Sequence, residues 1–166
     1  PLVMGHEFSG IIAKTGAKVS NFTVGDRVGV FPLLPCFKCD SCISQNYQQC
    51  SNYKYYGSRN HGGFAKYLNV ENWNLIKIPQ AIDLKDACLL EPMSVVVHGL
   101  KKLKLLKSNT KSTEILVIGC GFLTFVMLEL LEKFNPNSKI IAIDRNQHKL
   151  DKISNVNVET FLLDSE

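Results

Sequence analysis

Apolar and polar positions along the chain follow two different rhythms. Up to about residue 80 the apolar residues come in short groups cut by glycine, asparagine and proline. FSGIIAKTG followed by VGDRVGVF makes residues 8–31 β structure, with breaks between the strands. GGFAKYLNV (62–70) alternates as a strand does, and NLIKIP (74–79) predicts another, ended by Pro79. Residues 35–56 are polar and rich in cysteine, with little periodicity, and predict a loop or small lobe.

Beyond this the period lengthens. DLKDACLLEPMSVVVHGLKKLKLL (83–106) has the pattern of a helix, with Asp83 as N-cap and a break or kink expected at Glu91-Pro92. A polar connection, SNTKST (108–113), leads into EILVIGCG, apolar enough for a buried parallel strand. FLTFVMLELLEKF (122–134) predicts a helix, KIIAID (139–144) a second buried strand, and RNQHKLDKI (145–153) the start of another helix. Strand, helix, strand in this order is a βαβ unit, with the pattern carrying two parallel strands. The expected division is a mostly β domain over 1–92 and an α/β domain over 93–166. No internal repeat or low-complexity segment interrupts it.

The 166 residues are enough for one good core or two small ones. Net charge is +4, from 19 basic and 15 acidic side chains, and only KKLKLLK (101–107) concentrates lysine. No basic stripe interleaved with aromatics points to nucleic acid. The longest apolar run, 115–128, is too short to span a bilayer and is followed by Glu129. The chain opens on Pro1 without a signal or transit pattern, from which a cytoplasmic protein and a fragment or trimmed piece are expected.

Four of the six cysteines crowd into PCFKCDSCISQNYQQC, spaced C-x2-C-x2-C-x7-C as Cys36, Cys39, Cys42 and Cys50. Short x2 spacings let one loop aim successive sulfurs at a single ion, and four thiolates leave no position open for water. That argues for a structural zinc holding a lobe with almost no apolar core. Two disulfides, disfavoured without a secretion signal, or four unrelated thiols are the alternatives; spacing alone also leaves iron open. Cys88 and Cys120 read as small buried hydrophobes.

VIGCGFLT joins the first buried strand to its helix as G-x-G-x-x-T. Gly119 allows the tight turn, and Gly121 lets backbone approach a pyrophosphate held at the helix N-terminus. Thr124 stands where glycine or alanine is usual for close helix–strand packing. Asp144 ends the next strand, twenty residues beyond Thr124, where a carboxylate accepts from both ribose hydroxyls and repels a 2′-phosphate. NAD is therefore favoured over NADP, a preference that Arg145 tempers. A βαβ turn that binds nothing is the bland alternative.

GHEFSGIIAKTGAKV (5–19) fits G-H-E-x2-G-x5-G-x2-V at every specified position. VGDRV (24–28), the four-cysteine lobe, HGGFAKY (61–67), LLEPMSVVVH (89–98) and VIGCG (117–121) follow in order. Together these motifs resemble the zinc-dependent medium-chain alcohol and polyol dehydrogenases, over essentially the whole chain. Glu91-Pro92 and YYGSRNHGG resemble the sorbitol and galactitol-1-phosphate dehydrogenase group in particular.

The resemblance implies a GroES-like β domain followed by the first half of a Rossmann domain. It implies that His6 is a catalytic-zinc ligand, Glu7 a ligand or its close neighbour, and Glu91 the second carboxylate. It also implies that Cys36, Cys39, Cys42 and Cys50 hold structural zinc, and that Gly119, Gly121 and Asp144, with Arg145 beside it, contact NAD. In this family a further cysteine ligand and a serine or threonine proton relay lie upstream of the GHE motif, and members are about twice this long. Arg59 is a candidate for a substrate phosphate or a solvated loop arginine. His98 reads as packed or capping, and His61 as a loop residue.

The expected activity is hydride transfer between a polyol or polyol phosphate and NAD, on an open zinc site that stabilises an alkoxide. No nucleic-acid or membrane partner is expected, and a homo-oligomer is expected for the full-length protein. The alternative is an inactive, zinc-stabilised fragment that binds a partner or nothing. A zinc-free quinone-type reductase is opposed by the intact GHE and four-cysteine sets.

Overall fold

The first ninety residues form five short strands: β1 (Ser9–Ile11), β2 (Arg27–Val30), β3 (Leu33–Leu34), β4 (Lys54–Tyr55) and β5 (Leu75–Lys77). The computed structural model describes residues 1–106, 113–153 and 157–163. It divides into two compact units, Pro1–Glu91 and Pro92–Glu166.

In the first unit β1, β2 and β5 form an antiparallel sheet in that order, with Gly10 opposite Val28 and Gly29 opposite Ile76. β3 pairs with β4, Leu33 opposite Tyr55. Apolar positions of β2 and its neighbours fill the interior: Phe22, Val28, Val30, Leu33, Ile78 and Ala87 are all buried. Asn74 is the polar member of this core. Its side-chain amide donates to the carbonyls of Phe31 (2.5 Å) and Leu33 (2.7 Å), satisfying backbone acceptors where the chain bends from β2 to β3. The cysteine lobe carries one short helix, α1 (Asp40–Ile43).

Asp83 caps as expected, its carboxylate accepting from the N–H of Lys85 at 2.9 Å. The helix it opens is short, α2 (Leu84–Ala87), and the longer α3 (Leu90–Lys102) follows. The break thus falls at Cys88–Leu89, upstream of the expected Glu91-Pro92. Pro92 sits in the first turn of α3, where a backbone N–H has no intrahelical partner to lose. Gly29 has a packing reason: a Cβ there would approach Leu90 Cδ1 to 2.7 Å, so the absent side chain lets the start of α3 rest on β2.

The strand expected at 62–70 does not form. The N–H groups of Gly62, Gly63 and Phe64 donate to carbonyls of Val3, Gly5 and Met4, and Phe64 and Tyr67 are exposed. Alternation alone does not make a strand where the backbone N–H groups are spent on another segment.

In the second unit β6 (Glu114–Ile118), β7 (Lys139–Asp144) and β8 (Val158–Leu162) form a parallel sheet in that order. The helices α4 (Phe122–Phe134) and α5 (Gln147–Ile153) make the crossovers. β8 corrects the two-strand expectation: its VETFL is short and mixes polar with apolar residues, too weak a pattern to read without its partner β7. The core gathers Val96, Leu100, Leu105, Val117, Leu128, Leu131, Ile140, Ala142, Leu150 and Ile153. The polar connection expected at 108–113 lies almost wholly outside the described residues.

Leu131 has no exposed surface. Leu131→Ala is expected to lower the unfolding free energy of this unit by about 2–5 kcal/mol, lost burial plus a cavity, measured by urea titration of the far-ultraviolet circular dichroism.

Candidate metal centres and dinucleotide turn

The placement of His6 and Glu7 begins with glycine. Gly5 adopts φ +97°, a conformation that L side chains rarely take. The carbonyls of Val3, Met4 and Gly5 accept from Gly62, Phe64 and Gly63 at 2.8, 3.0 and 2.8 Å. A Cβ on Gly57 or Gly62 would collide with the backbone of Gly5, and one on Gly63 with the Phe8 ring. Two backbone segments therefore touch without side chains between them. His61 joins this clasp, its Nδ1 accepting from Val3 N–H at 3.1 Å.

His6 and Glu7 emerge from this clasp half-exposed, with His6 Nε2 3.9 Å from Glu7 Oε1. Glu91 arrives from the first turn of α3. One ligand atom from each of His6, Glu7 and Glu91 lies within 4.8 Å of the others. An imidazole and two carboxylates suit a hard-to-borderline cation, and three protein ligands are the number that leaves a coordination position open. His98 is exposed on α3, so of the packed and capping readings the packed one does not hold.

Tyr55 completes the group, and no motif pointed to it as a site residue. Its hydroxyl donates to Glu91 Oε1 at 3.0 Å, and its ring meets that of His6 edge-on, with centroids 5.7 Å apart. Burial raises the Tyr55 hydroxyl pKa above its ordinary value, and the charge of Glu91 pushes it further, so the group is a neutral donor. Residue order carries no signal for this role, and only the pairing of β4 gives the direction in which Tyr55 faces. Tyr56 is buried, its oxygen accepting from Glu71 N–H, so its neighbour must face the other way. Arg59 lies on the following turn with its guanidinium 4.2 Å above the Tyr53 ring.

The four clustered cysteines also converge. Cys36 and Cys42 sulfurs are 3.9 Å apart, as are those of Cys39 and Cys50, and all four lie within 4.8 Å. Thiolates 2.3 Å from one ion at tetrahedral angles are about 3.8 Å apart, so the set fits zinc. Phe37 accepts φ +57° to bring Cys36 and Cys39 round one turn. The thiols are electrostatically unequal. Backbone N–H groups of Cys42 and Ser51 hold Cys39 down to about 6, whereas burial and the neighbouring Cys50 push Cys42 up to about 12. Four thiolates so close require a cation, and the lobe has little else at its centre. Trp73 packs edge-on against Phe37 and Tyr47 of the lobe, 5.1 and 5.5 Å between centroids. Cys120 is buried as expected; Cys88 is only partly so, its thiol donating to the Lys85 carbonyl.

At the glycine-rich turn, Gly119 has φ +91° and Gly121 is the N-cap of α4. Thr124 fits well: buried on the first turn, it donates its hydroxyl to the Gly119 carbonyl at 2.6 Å and ties the helix to the turn. Asp144 ends β7 with one oxygen accepting from Cys120 N–H at 2.7 Å and the other from Asn146 N–H at 2.9 Å. The Cys120 bond is the leading cause of a carboxyl pKa below its ordinary value, so the carboxylate is charged beside the turn at neutral pH. Arg145 follows, exposed.

Residues 1–80 match the alcohol dehydrogenase GroES-like domain family. The chain is 34% identical over 150 residues to galactitol 1-phosphate 5-dehydrogenase of Escherichia coli (strain K12), covering 90% of this chain and 42% of that one. It is 31% identical over 152 residues to D-xylulose reductase A of Aspergillus oryzae, covering 91% and 41%. Among solved structures, galactitol-1-phosphate dehydrogenase from Escherichia coli superposes with TM-score 0.84 at 31% identity, over 96% of this chain and 45% of that one. An alcohol dehydrogenase of Escherichia coli CFT073 complexed with NADH gives 0.84 at 27%, over 96% and 47%. The fold is thus a GroES-like β domain followed by the first part of a Rossmann domain, and over most of its length the chain is similar to alcohol and polyol dehydrogenases. It spans less than half the length of these relatives. Among the described residues no helix is long and apolar enough to cross a membrane.

Two outcomes follow from this geometry. Gly62→Ala is expected to cost more than about 1 kcal/mol, because backbone cannot give way to the new methyl, and to weaken metal uptake at His6, Glu7 and Glu91 while sparing the cysteine lobe. Thermal denaturation and metal content per chain check both. Stripping the lobe with a chelator is expected to change the emission of Trp73, the single tryptophan, and to make four further thiols reactive; unchanged emission and thiol count would count against a metal there.

Proposed function

We propose that this chain carries the metal and dinucleotide sites of an oxidoreductase that moves hydride between a polyol or polyol phosphate and NAD. The observation that carries the reading is the convergence of His6, Glu7 and Glu91 from opposite ends of the first unit. His6, Glu7 and Glu91 would hold a catalytic zinc, and Cys36, Cys39, Cys42 and Cys50 a structural one. The catalytic ion, when bound, polarises an alcohol oxygen and lowers its pKa. Two carboxylates among the ligands keep the site hard and suited to exchanging oxygen ligands.

The glycine turn and α4 would seat the pyrophosphate on backbone N–H groups. Asp144 would accept from the adenosine ribose and disfavour a 2′-phosphate; similar solved structures hold NADH in one case and NADP in another, so the preference for NAD rests on this carboxylate. Galactitol 1-phosphate and xylulose, named in the relatives, are polyhydroxylated, and Arg59 is the proposed partner of a substrate phosphate.

The test loads the chain with zinc, adds NAD and a panel of polyols and polyol phosphates, and follows NADH absorbance. Turnover that Glu91→Gln lowers at least tenfold is expected. Asp144→Ala is expected to weaken NADH binding about tenfold, the scale of a lost charge-assisted hydrogen bond, and to narrow the preference over NADPH. Two bound metals with no turnover and no NADH binding would favour the alternative, a metal-stabilised module without catalysis.

A further inference from the structure

Tyr55 touches two of the three residues that converge at the second metal centre, and nothing in the proposed reaction uses it. Its hydroxyl donates to Glu91 Oε1 at 3.0 Å, and its ring edge rests against His6. We propose that Tyr55 is a positioning residue that fixes the Glu91 carboxylate, and the facing His6 ring, in the geometry that receives the metal. The proposal rests on reading His6, Glu7 and Glu91 as a metal site.

Three observations support it. The Tyr55 backbone is held on both sides: β4 pairs with β3 at Leu33, and the Tyr55 carbonyl accepts from Arg59 and Asn60 N–H groups at 3.0 and 2.9 Å. Its neighbour Tyr56 is buried and donates its N–H to the Pro32 carbonyl at 3.0 Å. A phenol on so fixed a base has only two torsions to settle, whereas a glutamate has three and loses more entropy on being ordered. The hydrogen bond transfers the order of β4 to a carboxylate carried by a different element, α3. With Oε1 accepting from the hydroxyl, Glu91 favours binding an ion through one oxygen rather than two. Partners of this kind set the orientation of metal ligands, and their loss costs about 10–100-fold in metal affinity.

Tyr55→Phe keeps the ring and removes only the hydroxyl. The experiment titrates cobalt(II) into the 166-residue chain whose cysteine lobe is already filled with zinc, for wild type, Tyr55→Phe, Glu91→Ala and the double variant. The expected result is cobalt uptake by wild type and about 10–100-fold weaker uptake by Tyr55→Phe. The visible d–d bands should also lose intensity as Glu91 turns bidentate and the coordination number rises. In the Glu91→Ala background, Tyr55→Phe is expected to change nothing further, because the hydroxyl acts through that carboxylate. Thiol counts and Trp73 emission show whether each variant keeps the lobe and its fold. Unchanged affinity and spectrum for Tyr55→Phe, with Glu91→Ala impaired, would overturn the proposal and leave the metal site standing. Equal, additive losses in both backgrounds would overturn it in favour of a role in folding. No cobalt uptake by wild type would remove the site itself and the proposal with it.

Discussion

Everything at the N-terminal site depends on one close contact, in which the backbone of residues 3–5 lies directly on the turn of Gly57, Gly62 and Gly63. Three N–H···O bonds hold it, and the missing side chains permit it. The contact fixes the direction in which His6 and Glu7 leave the chain. It also sets the distance to Tyr55, which begins the same turn from the other side. Any Cβ in this clasp would push the segments apart, and the two potential ligands would move with them. The glycine content of YYGSRNHGG is therefore a statement about where His6 stands, not about loop mobility.

The two centres of the first unit use opposite physical strategies. The cysteine lobe packs Phe37 and Tyr47 against Trp73, and its centre is a set of sulfurs whose mutual repulsion favours a cation. An ion held there would bind and order the lobe in one event. The His6–Glu7–Glu91 group is half-open and assembled from separate elements, each ordered by ordinary folding: a glycine clasp, a β pair with a tight turn, and a helix start packed against Gly29. The fold itself places these three residues, and His6 and Glu7 stay half-exposed. The second unit adds a conventional apolar core that presents Gly121 and Asp144 at the ends of β6 and β7, where the Cys120–Asp144 hydrogen bond already draws turn and carboxylate together.

Much of this was legible from residue order because the chemistry is local. Four thiols within fifteen residues, a glycine pair between strand and helix, and an acid at the end of the next strand each carry their reason in their spacing. What escaped was non-local. GGFAKYLNV alternates like a strand, but its first three N–H groups are taken by residues 3–5. Pro92 was expected to break a helix that it instead begins, because an N-terminal turn has no hydrogen bond for proline to remove. Val158–Leu162 becomes a strand only beside β7. Thr124 broke the glycine rule on paper and satisfied it in space, through its bond to Gly119. Tyr55 could not be singled out, since its partner Glu91 is distant in sequence and carried by another element.

The central claim is that this chain builds a second metal centre, chemically distinct from the cysteine lobe. X-ray absorption at the zinc edge tests it most directly, because sulfur ligands near 2.3 Å and nitrogen or oxygen ligands near 2.0–2.1 Å are resolved from one another. Zinc-saturated protein is predicted to show a mixed shell, with sulfur and nitrogen or oxygen in roughly equal shares averaged over two ions per chain. A shell of sulfur alone at saturation, with one zinc per chain, would contradict the account.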